Sequence, residues 1–144
     1  MFQGTSSLNL DAKGRLSMPA RYLDALRTEA GGQITVTRNP DGGLNLYPRP
    51  VWEEARASLA ALPSSEQWLK RFYLGSASDV ELDGTGRVLI SPELRELAGI
   101  TRDVLLLGVG HRFELWDKAA YQAKEAAEMM ENIRNSEAAR MLKL

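Results

Sequence analysis

The feature that most constrains this chain is an internal duplication: LDAKGRLSMP, Leu10 to Pro19, returns as LDGTGRVLISP, Leu82 to Pro92. A duplication has to be recognised before any element is assigned, because missing it misreads the whole fold. Aligned without a gap, residues 10–18 and 82–90 match at Leu, Asp, Gly and Arg, and set Leu16 beside Val88 and Met18 beside Ile90. The prolines then fall at 19 and 92, so the register is expected to slip.

The segments after the two copies agree in kind. Pro19 opens a helical pattern with Tyr22, Leu23 and Leu26 on one face, stopped by Gly31-Gly32, since proline suits a first helical turn and glycine an end. Ser91-Pro92 opens the second, with Leu94, Leu97 and Ala98 apolar and Gly99 closing it; Ser91 is placed to cap the free N–H groups. Next comes a β-branched strand, Gln33 to Arg38, the turn cluster NPDGG and a strand over Leu44 to Tyr47,. The second half repeats this with Val104 to Leu107, a turn through Gly108-Val109-Gly110-His111, and Arg112 to Trp116.

Each half then closes in helices. Trp52, Ala55, Leu59 and Leu62 have helical spacing over about residues 51–62, and Ser64-Ser65-Glu66-Gln67 reads as a capping box before Trp68, Leu69, Phe72 and Tyr73,. Asp117 is placed to cap a last helix from Lys118 towards Leu142, which carries Tyr121, Met129, Met130, Ile133 and Met141. These aromatic and methionine residues are read as packing, not as a cofactor box.

A chain of 144 residues buries one good core or two small ones. No Pro- or Gly-rich linker separates the halves, so the expected organisation is a first unit over 1–76 and a second over 77–144 that share one core.

The repeated Asp-x-x-Gly-Arg is a hairpin tip. Asp11 or Asp83 can accept from backbone N–H groups two or three residues on, Gly14 or Gly86 supplies a positive φ, and Arg15 or Arg87 enters the returning strand,. Such an arginine can close the turn against its aspartate, or read a phosphate or guanine edge bidentately. One hairpin settles nothing; two make a paired platform.

LDAKGRLSMPARY and LDGTGRVLISPELRELAGI resemble the signature of the AbrB-like swapped-hairpin DNA-binding proteins. Two copies, an opening MFQG and helices after each copy resemble the MraZ family of bacterial transcriptional regulators over nearly the whole chain. The resemblance implies an α+β fold, in which tandem swapped-hairpin units form one pseudo-dimeric β-barrel with peripheral helices. It also implies a ring-shaped homo-oligomer binding double-stranded DNA at repeats upstream of the division and cell-wall gene cluster. Asp11 and Arg15, and Asp83 and Arg87, are then the motif's DNA-binding positions.

Charge refines this expectation. The formal net charge is -1, which by itself argues against nucleic acid. From Met1 to Arg38, however, Lys13, Arg15, Arg21, Arg27 and Arg38 exceed Asp11, Asp24 and Glu29 for a formal +2, whereas Asp79 to Asp103 carries -3. Lys13 stands in the first loop where Thr85 stands in the second. The first copy is therefore expected to supply most of the DNA contact through Lys13, Arg15 and Arg21, with Arg87 from the second. Arg27 and Arg38 are read as solvated helix and strand charge.

An enzyme finds few parts here. His111 is the only histidine, there is no cysteine and no G-x-S-x-G, and Gly108-Val109-Gly110 lacks the third glycine and following helix of a dinucleotide loop,. No catalytic residue, cofactor, metal or small-molecule substrate is expected. The longest apolar run, Val104 to Val109, is far short of the roughly 20 residues that span a bilayer, and the N-terminus lacks a secretory pattern. A cytoplasmic, nucleoid-associated protein without a membrane partner is expected. The competing reading is an AbrB-like interaction module, antitoxin-like or a structural ring, with no specific DNA site of its own.

Overall fold

A computed structural model describes all residues from Met1 to Leu144. The extended N-terminal segment FQGTSSLN forms β1 (Phe2–Asn9), and the first tip leads into β2 (Arg15–Ser17). Helix α1 (Ala20–Ala30) ends where Gly31 and Gly32 take φ of 60° and 72°, conformations that a side chain would resist. Strands β3 (Gln33–Arg38) and β4 (Leu44–Pro48) come next, then α2 (Arg49–Ala60), a 3-10 turn (Ser64–Glu66) and α3 (Gln67–Tyr73).

The second half repeats this order with β5 (Ser78–Glu81), β6 (Arg87–Leu89), α4 (Pro92–Leu97), β7 (Asp103–Gly110) and β8 (Phe113–Asp117). It closes with α5 (Lys118–Arg134) and α6 (Glu137–Met141). Ser91 and Asp117 cap their helices, accepting from the N–H groups of Leu94 at 3.2 Å and Ala120 at 3.1 Å.

The fold is α+β with antiparallel pairing throughout. Six strands form one sheet in the order β1-β7-β8-β4-β3-β5, and β2 and β6 form a separate two-stranded ribbon. Each half pairs with the other: β1 lies on β7, β5 on β3, β4 on β8 and β2 on β6. Leu16 stands opposite Val88, and Asn45 stands opposite Glu114 between the pairs Leu44–Leu115 and Leu46–Phe113. A pseudo-twofold axis through those two self-matched pairs exchanges the halves. It also relates the Tyr47–Trp52 ring pair (5.5 Å) to Trp116–Tyr121 (5.4 Å).

Side chains alternate across the sheet. Leu44, Leu46, Phe113 and Leu115 point inwards, where they meet Leu16 and Val88 of the ribbon and Tyr22, Leu26 and Leu94 of α1 and α4 in one cluster of 18 buried residues. Asn45, Tyr47, Glu114 and Trp116 face the other way, towards α2 and α5. The ribbon and the outer sheet face thus lie at opposite ends of the same axis, with the core between them.

Several sequence expectations change. The sheet is open, with β1 and β5 at its edges, not closed into one barrel. The reason lies in the ribbon: β2 and β6 ladder with each other instead of extending the sheet from β1 and β5, and the Asp11 N–H to Arg15 carbonyl bond (3.0 Å) closes only the tip. Pro19 and Ser91 both stand immediately before their helices, so the register does not slip there; the length difference falls later, between an 11-residue α1 and a 6-residue α4.

Strand β7 runs on to Gly110, leaving only His111 and Arg112 in the turn. The expected capping box is a 3-10 turn with no side-chain cap. The last helix breaks at Asn135-Ser136, where Ser136 caps α6. Trp68, Met130, Met141 and Leu142 are 78%, 58%, 80% and 61% exposed, so they do not pack within the chain. No helix is long and apolar enough to cross a membrane.

Candidate nucleic-acid interface

Both tips have the same construction. The Gly14 N–H donates to the Asp11 carbonyl at 2.9 Å and the Gly86 N–H to the Asp83 carbonyl at 3.0 Å. The glycines take φ of 84° and 82°, which lets the chain return without the penalty a Cβ would bring. Asp11 Oδ1 accepts from the backbone N–H groups of Lys13 and Arg15 at 3.0 and 2.9 Å, and Asp11 Oδ2 accepts from Arg15 Nε at 2.6 Å. Asp83 Oδ1 accepts from the N–H groups of Thr85 and Arg87 and from the Thr85 hydroxyl, and its Oδ2 accepts from Arg87 Nε at 2.8 Å.

This geometry sets the electrostatics. The Arg15 backbone N–H, with further help from the Arg15 side chain and the Lys13 N–H, holds the Asp11 carboxyl below its ordinary range. The Arg87 N–H together with Thr85 does so more strongly for Asp83. Burial works against both shifts and loses, because hydrogen bonds to the charged form favour it.

The antiparallel ribbon brings Arg15 and Arg87 together. Arg15 pairs with Leu89 and Arg87 with Ser17, so the arginines are diagonal neighbours on the outward face, with backbones about 7–8 Å apart. Their Nε atoms are held by the aspartates and their terminal amino groups make no hydrogen bond within the chain. Lys13 is exposed on the first tip. Arg21 is not part of this group: its Nη2 donates to Ser6 at 2.7 Å and its guanidinium lies over Tyr22. Ser6 is five residues back along the chain from Asp11, roughly 17 Å at strand rise.

Two further arginines sit at the tips, each from the opposite half. Arg27 on α1 donates to the Asp83 carbonyl at 3.2 Å, so it is not the free helix charge its sequence suggests. Arg95 on α4 donates through Nε to the Ile90 carbonyl, and a Cβ at Gly14 would meet its guanidinium at 2.7 Å. At the matching place on the second tip, a Cβ at Gly86 would meet Leu23 at 2.9 Å. Leu23 and Arg95 are 72 residues apart, as Gly14 and Gly86 are, so the repeat offset carries the Leu23–Gly86 contact over to Arg95 and Gly14, although the spacing alone does not bring either helix to a tip. This crossing also brings a cation from the acidic half to the basic tip.

Comparison with known proteins agrees with the duplication. The model of the family described as "MraZ protein, putative antitoxin-like" matches twice, over residues 1–72 and 73–144. The chain is 65% identical to "Transcriptional regulator MraZ" of Acidovorax sp. (strain JS42) over 129 residues, 90% of this chain and 91% of that protein. The protein of the same name from Variovorax paradoxus (strain S110) is 64% identical over 126 residues, covering 88% and 89%. That from Burkholderia cenocepacia is 56% identical over 133 residues, covering 92% and 94%. A tandem match spanning the chain, on halves that pair strand for strand about one axis, shows that the chain belongs to the MraZ family.

Proposed function

We propose that the chain is a sequence-specific transcriptional regulator that reads double-stranded DNA with its paired tips. The observation that carries this reading is the convergence of Arg15 and Arg87 on the outward face of the β2–β6 ribbon. A guanidinium whose Nε is fixed presents its remaining donors as an oriented fork, the geometry that suits a phosphate or a guanine edge. A two-stranded ribbon also fits the width of a major groove.

The first tip makes the larger contribution, because it carries Arg15 and the exposed Lys13 and has the Arg95 guanidinium packed against Gly14. Arg21 contributes from beside β1. Catalysis forms no part of this reading. The relatives' name, transcriptional regulator, supports the regulatory role. On the family resemblance, the sites are repeats upstream of the division and cell-wall gene cluster, and a ring-shaped homo-oligomer presents many tips at once. Multivalency then turns a weak single contact into recognition of spaced repeats, and such a protein works in the cytoplasm on the nucleoid.

The test is a gel-shift titration of DNA from upstream of this protein's own gene against a scrambled duplex, at low and near-physiological salt. Preferential retention of the upstream duplex that survives salt supports the reading. Loss of both duplexes together sinks it and favours the second reading, an antitoxin-like interaction module, to which the exposed Met130 and Met141 of the C-terminal helices and Leu142 just beyond them lend an apolar surface.

A further inference from the structure

The pseudo-twofold axis makes the two halves comparable groove by groove. In the first half, Tyr47 and Trp52 line a groove under α2 whose far side is formed by Tyr73 of α3. The matching groove under α5 is lined by Trp116, Tyr121, Met129 and Ile133, and no helix of this chain takes the place of α3 beside it. Met129 and Ile133 are 39% and 49% exposed in consequence. The groove holds about 290 Å³, room for one large side chain.

The charges of the groove and of α3 are complementary. Asp41, Glu125 and Glu128 stand along the groove, and its one cation, Lys124, is paired with Glu128 at 2.6 Å. Helix α3 itself presents the reverse: Trp68 is 78% exposed with the Arg71 guanidinium 4.8 Å from its ring centre, and Lys70 and Leu69 lie beside it.

From this pairing we infer that α3 of one copy seats Trp68 in the α5 groove of a second copy, with Lys70 and Arg71 facing Glu125 and Glu128. The contact joins different surfaces of identical chains. Contacts of that kind run head to tail and close into a ring when the rotation allows. The inference deepens the proposed self-association by naming its surfaces, and it is independent of whether the tips read DNA. Charge pairs at the edge of such a contact set partner choice, while the seated aromatic supplies most of the affinity.

Sedimentation of the full chain tests it. Three variants are compared with wild type: Trp68→Ala, the pair Lys70→Glu with Arg71→Glu, and the pair Glu125→Lys with Glu128→Lys. Trp68 is largely solvent-exposed in the isolated chain, so its removal should leave the circular dichroism unchanged. The expected result is that wild type sediments as an oligomer, each variant falls towards the 16.0 kDa single chain, and an equimolar mixture of the two charge-reversed chains regains a larger species. Wild type sedimenting as a single chain, Trp68→Ala keeping the wild-type size, or failure of the mixture to recover would overturn the inference. Gel shift on a duplex with one site is read separately: loss of DNA retention with intact assembly counts against the proposed function alone.

Discussion

Leu16 faces Val88, its own counterpart in the duplication, across the centre of the two-stranded ribbon. Both are essentially inaccessible to solvent and point into the common cluster. The same contact therefore closes the core and fixes the spacing of Arg15 and Arg87 on the opposite face of the ribbon.

Leu16→Ala should consequently harm more than the ribbon. Truncating a fully buried leucine costs about 2–5 kcal/mol, depending on how far the site collapses. The neighbouring Ser17→Ala, on the exposed face, should stay within about 0.5 kcal/mol. Chemical denaturation measures both, and equal small effects would contradict a core that runs through the ribbon.

The tip carboxylates give a pH dependence of definite sign. Asp11 and Asp83 are held below the ordinary carboxylate range by the backbone N–H groups of Arg15 and Arg87 and by their other donors. A group whose folded-state pKa is depressed adds stability that is complete above its unfolded value, about 3.9 for aspartate, and is lost as pH falls through the folded value. Asp83→Asn should be less stable than wild type by a constant margin near neutrality, and the margin should close as pH drops below about 3.9. A margin that does not change with pH would show that the charge on Asp83 does not hold the tip.

Legibility of the sequence tracked the range of the forces involved. Glycine stops at Gly31-Gly32 and the caps at Ser91 and Asp117 are local chemistry, and the structure has them where the sequence indicated. At the tips Asp11 and Asp83 accept from the N–H two residues on as expected, but the other backbone donor is four residues on, because the N–H three residues on turns to the backbone carbonyl. The partner of each strand was not readable, because the alternation of β4 or β8 is the same whatever lies beside it. Hence the open sheet, the Asn45–Glu114 pairing and the crossing of Arg27 and Arg95 to the opposite tips appeared only in three dimensions. Helical spacing likewise showed that Trp68, Met130 and Met141 share apolar faces, but spacing does not say whether the cover comes from the same chain.

Gly108 marks a close approach that the sequence left looking like a loop. It pairs with Gly4 across β7 and β1, and a Cβ there would stand 2.6 Å from the Gln3 nitrogen and 2.7 Å from the Phe2 carbonyl carbon. The obstruction is backbone, which cannot swing aside. Gly108→Ala should push β1 away and cost about 1–3 kcal/mol, the range for overpacking. Amide hydrogen exchange should rise along β1 before it rises in β3 or β4; unchanged protection in β1 would refute the tight approach.

The arginines make the sharpest functional prediction. If Arg15 contacts a base, Arg15→Ala should weaken binding to the upstream duplex by about 1–3 kcal/mol and leave the assembly intact. Arg87→Ala should cost less, because Lys13 and Arg95 reinforce the first tip whereas Thr85 and Leu23 occupy the matching positions at the second. Lys13→Ala should act differently again, lowering affinity for upstream and scrambled duplexes alike and reducing the slope of log affinity on log salt by about 1 for each phosphate no longer neutralised. Titrations at several salt concentrations separate these effects. A larger loss for Arg87→Ala than for Arg15→Ala would reverse the assignment of the leading tip, and unchanged affinity in both would remove the ribbon from the DNA interface.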